Sequence, residues 1–160
     1  MSLVYLTPLS PSQQAVEGID PVQPLAIADR VRYSELDVLN HVNNKVYMEW
    51  FERLRVLYGQ AWGITNLGND GRTPRTVIRS GSIHFREEIK MDSDYIATCR
   101  CTAFRTTSYT LAQQIWSGGT LRATFDCVMV LLDAQSPTKV PIPQAMRDRF
   151  EIIDGASFEG

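Results

Sequence analysis

Between residues 44 and 62 the large apolar side chains recur at three- and four-residue intervals: Tyr47, Trp50, Phe51, Leu54, Leu57, Tyr58, Ala61 and Trp62. Glu49, Glu52, Arg53, Arg55 and Gln60 fall largely off that stripe, so the spacing predicts an amphipathic helix from about 44 to 62 with a face wide enough to lie on a sheet. Asn43 or Asn44 suits its N-cap and Gly63 its end. Elsewhere the period is two. Residues 26–33 read as a first strand. Residues 76–89 set Val77, Gly81, Ile83 and Phe85 on one face against Ser80, Ser82, His84 and Arg86 on the other. Residues 94–105, 108–116 and 120–133 complete the strands. The short joins Arg105-Thr106-Thr107 and Ser117-Gly118-Gly119 predict antiparallel neighbours. Residues 66–74 are a loop by composition, and VPIPQAMRDRF (140–150) ends in a short helix. One long helix against a five- to six-stranded antiparallel sheet is an α+β architecture. Residues 1–24, broken by Pro8, Pro11, Pro21 and Pro24, read as an irregular arm; 25–150 form the single domain and 151–160 a tail.

Composition narrows the function more than the fold. The 160 residues carry a formal net charge of −2, so no overall field would draw in nucleic acid, and an anionic ligand would have to meet local cations. Arg72, Arg75, Arg79, Arg86 and Lys90 are the candidates. Cys99 and Cys101 point to one face of a strand, Cys127 stands apart, and only two histidines occur. Buried reduced thiols are expected, with neither a disulfide scaffold nor a structural zinc site. The opening MSLVYLTPLSPSQQAVEG has no basic start and is interrupted by proline, which fits neither a signal peptide nor a membrane span; a cytoplasmic setting is expected by default.

The chemistry concentrates just ahead of the long helix. The run D-V-L-N-H-V-N-N-K-V-Y-M-E-W, Asp37 to Trp50, resembles the hotdog-fold thioesterases of the 4-hydroxybenzoyl-CoA thioesterase type and the H-V-N-N segment of the acyl-ACP thioesterases. Val31-Arg32-Tyr33, the helix end at Trp62-Gly63, S-I-H-F-R, the L-L-D turn at 131–133 and V-P-I-P at 140–143 extend the likeness over about residues 26–150. The resemblance implies a single hotdog domain whose helix is wrapped by the sheet. It implies an acyl-CoA or acyl-ACP thioester as substrate, no metal or redox cofactor, and assembly into a homodimer or homotetramer with active sites at the interface. It places the working carboxylate at Asp37, with His41 and Asn43 beside it and Asn44, Lys45, Val46 and Tyr47 against the substrate. The chain departs from the pattern twice: Glu35 stands where many relatives have a second aspartate, and Leu39 where acyl-ACP enzymes have an asparagine, Asn40 following it.

Elementary chemistry leads to the same place. A helix N-terminus presents unpaired amides and the positive end of the peptide dipoles, which can hold a thioester carbonyl and stabilise the oxyanion formed on attack. An acid in the preceding loop can activate water or attack directly. Asp37 could equally form a turn, His41 hold structure, and one of the two asparagines merely cap the helix. Glu49 and Glu52 read as solvated acids within reach of Arg53 and Arg55, and His84 reads as structural; the resemblance makes Glu49 the fallback carboxylate, since some hotdog enzymes place theirs on this helix.

Overall fold

The computed structural model describes residues 2–63 and 72–160. Part of the predicted 66–74 loop lies outside them. Helix α2 (Asn44–Ala61) lies on a sheet ordered β1-β3-β4-β5-β2, built from β1 (Leu25–Arg30), β2 (Arg75–Phe85), β3 (Asp94–Phe104), β4 (Ser108–Ser117) and β5 (Thr120–Leu132). All four pairings along that path are antiparallel, which is the predicted hotdog α+β arrangement. Val46, Tyr47, Trp50, Phe51, Leu54 and Tyr58 bury the helix stripe against Tyr95, Cys99, Leu111, Ile115 and Phe125. Each such aliphatic or aromatic side chain withdrawn from water contributes roughly 1.5–3 kcal/mol, which anchors the helix far more firmly than its own propensity would. Ala61, at the stripe's end, is exposed. The helix stops where Gly63 takes a φ of +72°, a conformation glycine adopts without a Cβ clash. The 117–119 turn closes with Gly118 and Gly119 at φ +60° and +75°.

Several boundaries differ from the periodicity. β1 ends at Arg30, and Tyr33–Glu35 form a 3-10 turn because Glu35 N–H reaches back to Arg32 C=O. β2 ends at Phe85 because the amides of Arg86 and Glu87 both turn onto the Arg122 carbonyl. A bulge between Ile78 and Ser80 breaks its alternation: Gly81 pairs with Cys127 and Ile83 with Phe125 on the helix side, whereas Val77 pairs with Val130 on the opposite face. All three cysteines are buried free thiols; burial raises their pKa values, Cys127 to about 11.

The stretch read as irregular holds helix α1 (Pro11–Val16), started by a capping box in which Gln13 N–H donates to Ser10 Oγ and Ser10 N–H to Gln13 Oε1. Leu9 and Ile19 pack with Ala26, Ala28 and Ile96 on the face of the sheet turned away from α2. The arm also lies along β1, with Leu6 and Leu9 amides donating to the Ala28 and Ala26 carbonyls. At the other terminus, α3 (Gln144–Ile152) runs into the predicted tail, and β6 (Ser157–Phe158) pairs in parallel with β3. One sheet edge, β1, is therefore covered by the chain's own arm, while β2 is open among the described residues.

Candidate active site

Residues 36–42 form a small hairpin at the helix start. Leu36 bridges Val42, Asp37 N–H donates to His41 C=O, and Asn40 sits at φ +60° at the tip. Asparagine is among the few non-glycine residues that accept this conformation readily. The hairpin is held on two sides. Val42 N–H donates to Ile89 C=O and His41 bridges Lys90, while Asn43 N–H donates to Glu35 C=O.

Asp37 is half-buried, and one of its oxygens is committed: Oδ1 accepts from Leu39 N–H at 2.8 Å and His41 N–H at 3.3 Å. Among the described residues its Oδ2 has no hydrogen-bond partner. The carboxylate is thus fixed by its own turn with one oxygen left over. His41 Nε2 lies 2.9 Å from Glu88 Oε2, so a carboxylate from the segment after β2 orients the imidazole. Sequence alone does not single out Glu88, because nothing in its local pattern marks it. Only the antiparallel approach of residues 88–90 to 41–42 brings it there.

The helix start distributes the asparagines. Asn43 is the N-cap, its Oδ1 accepting from Lys45 N–H at 3.1 Å, and Val46 N–H donates to Asn43 C=O at 2.9 Å. Among the described residues the exposed Asn44 amide has no acceptor, so of the amides at 44–46 it is the one left to a ligand. Lys45 is exposed; Val46 and Tyr47 are packed in the core. Tyr47 stands edge-on to Phe85 with ring centroids 5.3 Å apart, and burial pushes its phenol up to about 12, with Arg122 opposing and Glu88 adding.

Behind the hairpin, Glu35 Oε2 accepts from Trp50 Nε1 at 2.7 Å, and the Trp50 ring stacks on Tyr95 with centroids 3.8 Å apart. Arg53 donates to the Tyr95 hydroxyl and to the buried Asp29, and Arg55 donates to Gln113 Oε1, so neither arginine pairs with Glu49 or Glu52. Glu49 is exposed, and His84 is an exposed residue of β2 beside Ser82.

Of the phosphate candidates, Arg86 and Lys90 line a polar cleft of about 640 Å³ together with Glu87, Glu88, Ser117 and Arg122. Arg122 is engaged there with Glu87 and the Glu88 carbonyl. Arg75 instead ties down the Asp133 and Ser136 carbonyls, and Arg79 lines a separate cavity with Arg105 and Glu159. Among the described residues no three His, Cys, Asp or Glu side chains gather as a metal site, and no helix is long and apolar enough to cross a membrane.

The fold is shared with solved structures. A thioesterase superfamily protein from Jannaschia sp. CCS1 is 33% identical, with a TM-score of 0.90 over 97% of this chain and 98% of that one. A thioesterase from Thermus thermophilus, complexed with coenzyme A and Zn, is 22% identical, with a TM-score of 0.69 over 83% of this chain and 96% of that one. A Staphylococcus aureus protein in complex with CoA is 12% identical, with a TM-score of 0.75 over 82% of this chain and 84% of that one. At these lower identities the likeness is one of fold. No curated protein matches. The profile of the thioesterase-like superfamily matches residues 31–150, from just before the 3-10 turn into α3, and the chain belongs to that superfamily.

Proposed function

We propose that the protein hydrolyses acyl-CoA thioesters, and that Asp37 and the Asn44 amide are its reacting groups. The observation that carries this reading is the asymmetry of the Asp37 carboxylate: among the described residues Oδ1 is held by two amides while Oδ2 is free, in the hairpin that leads into a helix whose Asn44 N–H is likewise free. The carbonyl oxygen of the thioester accepts from that N–H, where the helix dipole stabilises negative charge. Asp37 takes a proton from water as the resulting hydroxide bonds to the carbonyl carbon. Alternatively it attacks that carbon itself, giving a mixed anhydride that water then opens. Either way the C–S bond breaks and the thiolate leaves to take a proton. His41, oriented by Glu88, adjoins the same hairpin as a proton carrier or carbonyl contact. The CoA-bound fold relatives support CoA as the carrier.

The active unit on this reading is a homodimer or a larger assembly of such pairs. Among the described residues β2 is an open edge eleven residues long, and Val77, Ile78 and Phe85 on it, with Met48 and Val56 of α2, are exposed apolar side chains. A second copy pairing along β2 would satisfy that edge and cover them.

The test is thiol release over short, long and aromatic acyl-CoAs and their carrier-protein counterparts, wild type against Asp37→Asn. Loss of about 10²–10⁴-fold in kcat is expected if Asp37 moves the proton. An unimpaired variant removes Asp37 from this role, and equal or faster turnover of carrier-protein thioesters removes CoA as the preferred carrier. A second reading, a non-catalytic acyl-CoA-binding protein, is favoured by one observation: the two amide bonds to Oδ1 alone would justify an aspartate at this turn. Tight acyl-CoA binding with no turnover across the panel would establish it.

A further inference from the structure

Glu35 holds two donors at once. Its Oε1 accepts from Arg32 N–H at 2.8 Å and its Oε2 from Trp50 Nε1 at 2.7 Å, and its main-chain carbonyl receives Asn43 N–H at 2.9 Å. Both side-chain partners are N–H groups, so only a carboxylate satisfies both; an amide would present a donor to one of them. Trp50 is a rigid partner. It lies in the second turn of α2, is buried, and is stacked on Tyr95, whose hydroxyl accepts from Arg53 at 2.7 Å. Glu35 immediately precedes the hairpin that carries Asp37, whose other ties are main-chain bonds between its own two strands and the contacts of His41 and Val42 with residues 88–90.

We propose that Glu35 is a positioning residue: by bridging Arg32 to Trp50 it fixes the start of the Asp37 hairpin relative to α2, and with it the bearing of the Asp37 carboxylate on the helix N-terminus. The assignment of a catalytic purpose to that alignment rests on the proposed hydrolase reading. The anchoring by Glu35 does not. Small displacements of a reacting carboxylate cost large factors in rate while leaving ground-state binding of the remote nucleotide intact. Trp50 acts here through its indole N–H, since the ring itself is held by Tyr95.

The experiment compares wild type, Glu35→Gln, Trp50→Phe and the double variant. Kinetics on the best acyl-CoA are measured beside ¹H–¹⁵N spectra recorded without substrate. The expected result is a kcat about tenfold lower in each single variant with KM within about twofold. The double variant should be no slower than the singles, because both remove one link. The Trp50 indole resonance, identified by its absence in Trp50→Phe, shifts in Glu35→Gln, and the Leu39 and His41 amide resonances that report the Asp37 carboxylate shift in both variants. Wild-type kcat in Glu35→Gln, a rise confined to KM, or additive losses would overturn the proposal. So would unmoved Leu39 and His41 amides beside a shifted indole. If the wild type hydrolyses nothing, the hydrolase reading fails, and the amide shifts still decide whether Glu35 sets the hairpin. Should Trp50→Phe not fold, the amide shifts and the kcat-against-KM split of Glu35→Gln decide alone.

Discussion

The Nε2 of His41 and the Oε2 of Glu88 stand 2.9 Å apart, joining the Asp37 hairpin to the segment that follows β2. Both side chains are partly exposed, so the pair contributes little to stability, the median for such contacts being about 0–1 kcal/mol. Its effect is orientation: a carboxylate on one ring nitrogen fixes where the other points. Glu88→Gln retains size and removes the charge. It should lower kcat/KM on acyl-CoA by about tenfold while shifting the melting temperature little. Steady-state kinetics beside thermal unfolding check this; a large loss of melting temperature with unchanged kinetics would make the contact purely structural.

Gly81 occupies a place where no side chain fits. A Cβ there would lie 2.5 Å from Cε2 and 2.6 Å from Cζ of Phe125, a ring already bounded by Phe51 at 5.4 Å and by the Arg55 guanidinium at 5.6 Å. Gly81→Ala must push that ring into the core beneath α2. The expected cost is about 1–3 kcal/mol, as for other overpacked cores. A lower denaturant midpoint at unchanged slope would show it, and an unchanged midpoint would mean the ring can move freely.

The long helix was legible because its apolar stripe is continuous, and the central strands because their hairpin turns are short and specific. The open edge was harder. The 78–80 bulge moves Val77 to the other face, which a period of two counted across the strand cannot detect. The arm and the tail escaped for a related reason. Their elements are six residues and two residues long, too short for a periodic signal, and are held by other elements, the arm by its amide bonds to β1 and β6 by its pairing with β3. In the candidate site, Asp37 and His41 stood out through their motif. Glu35 reads as a departure from it and Glu88 carries no local mark, because the groups they meet, Trp50 and His41, lie 15 and 47 residues away along the chain.

Asp154 pins the C-terminal segment to the core. It is 3% exposed, and its Oδ2 accepts from the Tyr58 hydroxyl at 2.5 Å and from Cys101 N–H at 2.7 Å. Burial raises its pKa, opposed by those hydrogen bonds. The folded chain therefore binds this proton more tightly than the unfolded chain. Above the ordinary carboxylate value of about 3.9, stability loses a contribution as pH rises through the raised pKa. Asp154→Asn keeps an acceptor and cannot titrate, so it should flatten this part of the stability curve. Asp154→Ala strands the Tyr58 and Cys101 donors and should cost about 2–5 kcal/mol. Denaturation midpoints of the three proteins from about pH 4 to 7, the span above the ordinary carboxylate value, check both. Parallel curves for wild type and Asp154→Asn would show that the proton does not matter.

The two edges of the sheet lead to the last prediction. Along β1 the arm donates amides to the Ala26 and Ala28 carbonyls, so that edge is closed by the same chain. Along β2 nothing among the described residues does so, and Ile78 is 45% exposed beside the bulge. If a second copy pairs there, a charge at residue 78 must be desolvated twice, once in each copy, because a two-fold interface repeats every substitution. Lysine on a sheet edge is a common natural block to such pairing. Ile78→Lys should therefore weaken self-association by about a hundredfold or more, and yield a folded monomer by sedimentation at concentrations where the wild type is dimeric. On the proposed reading the active unit is the pair, so activity should fall with association and recover as concentration is raised. A wild-type chain that sediments as a fully active monomer would remove both the interface and that dependence.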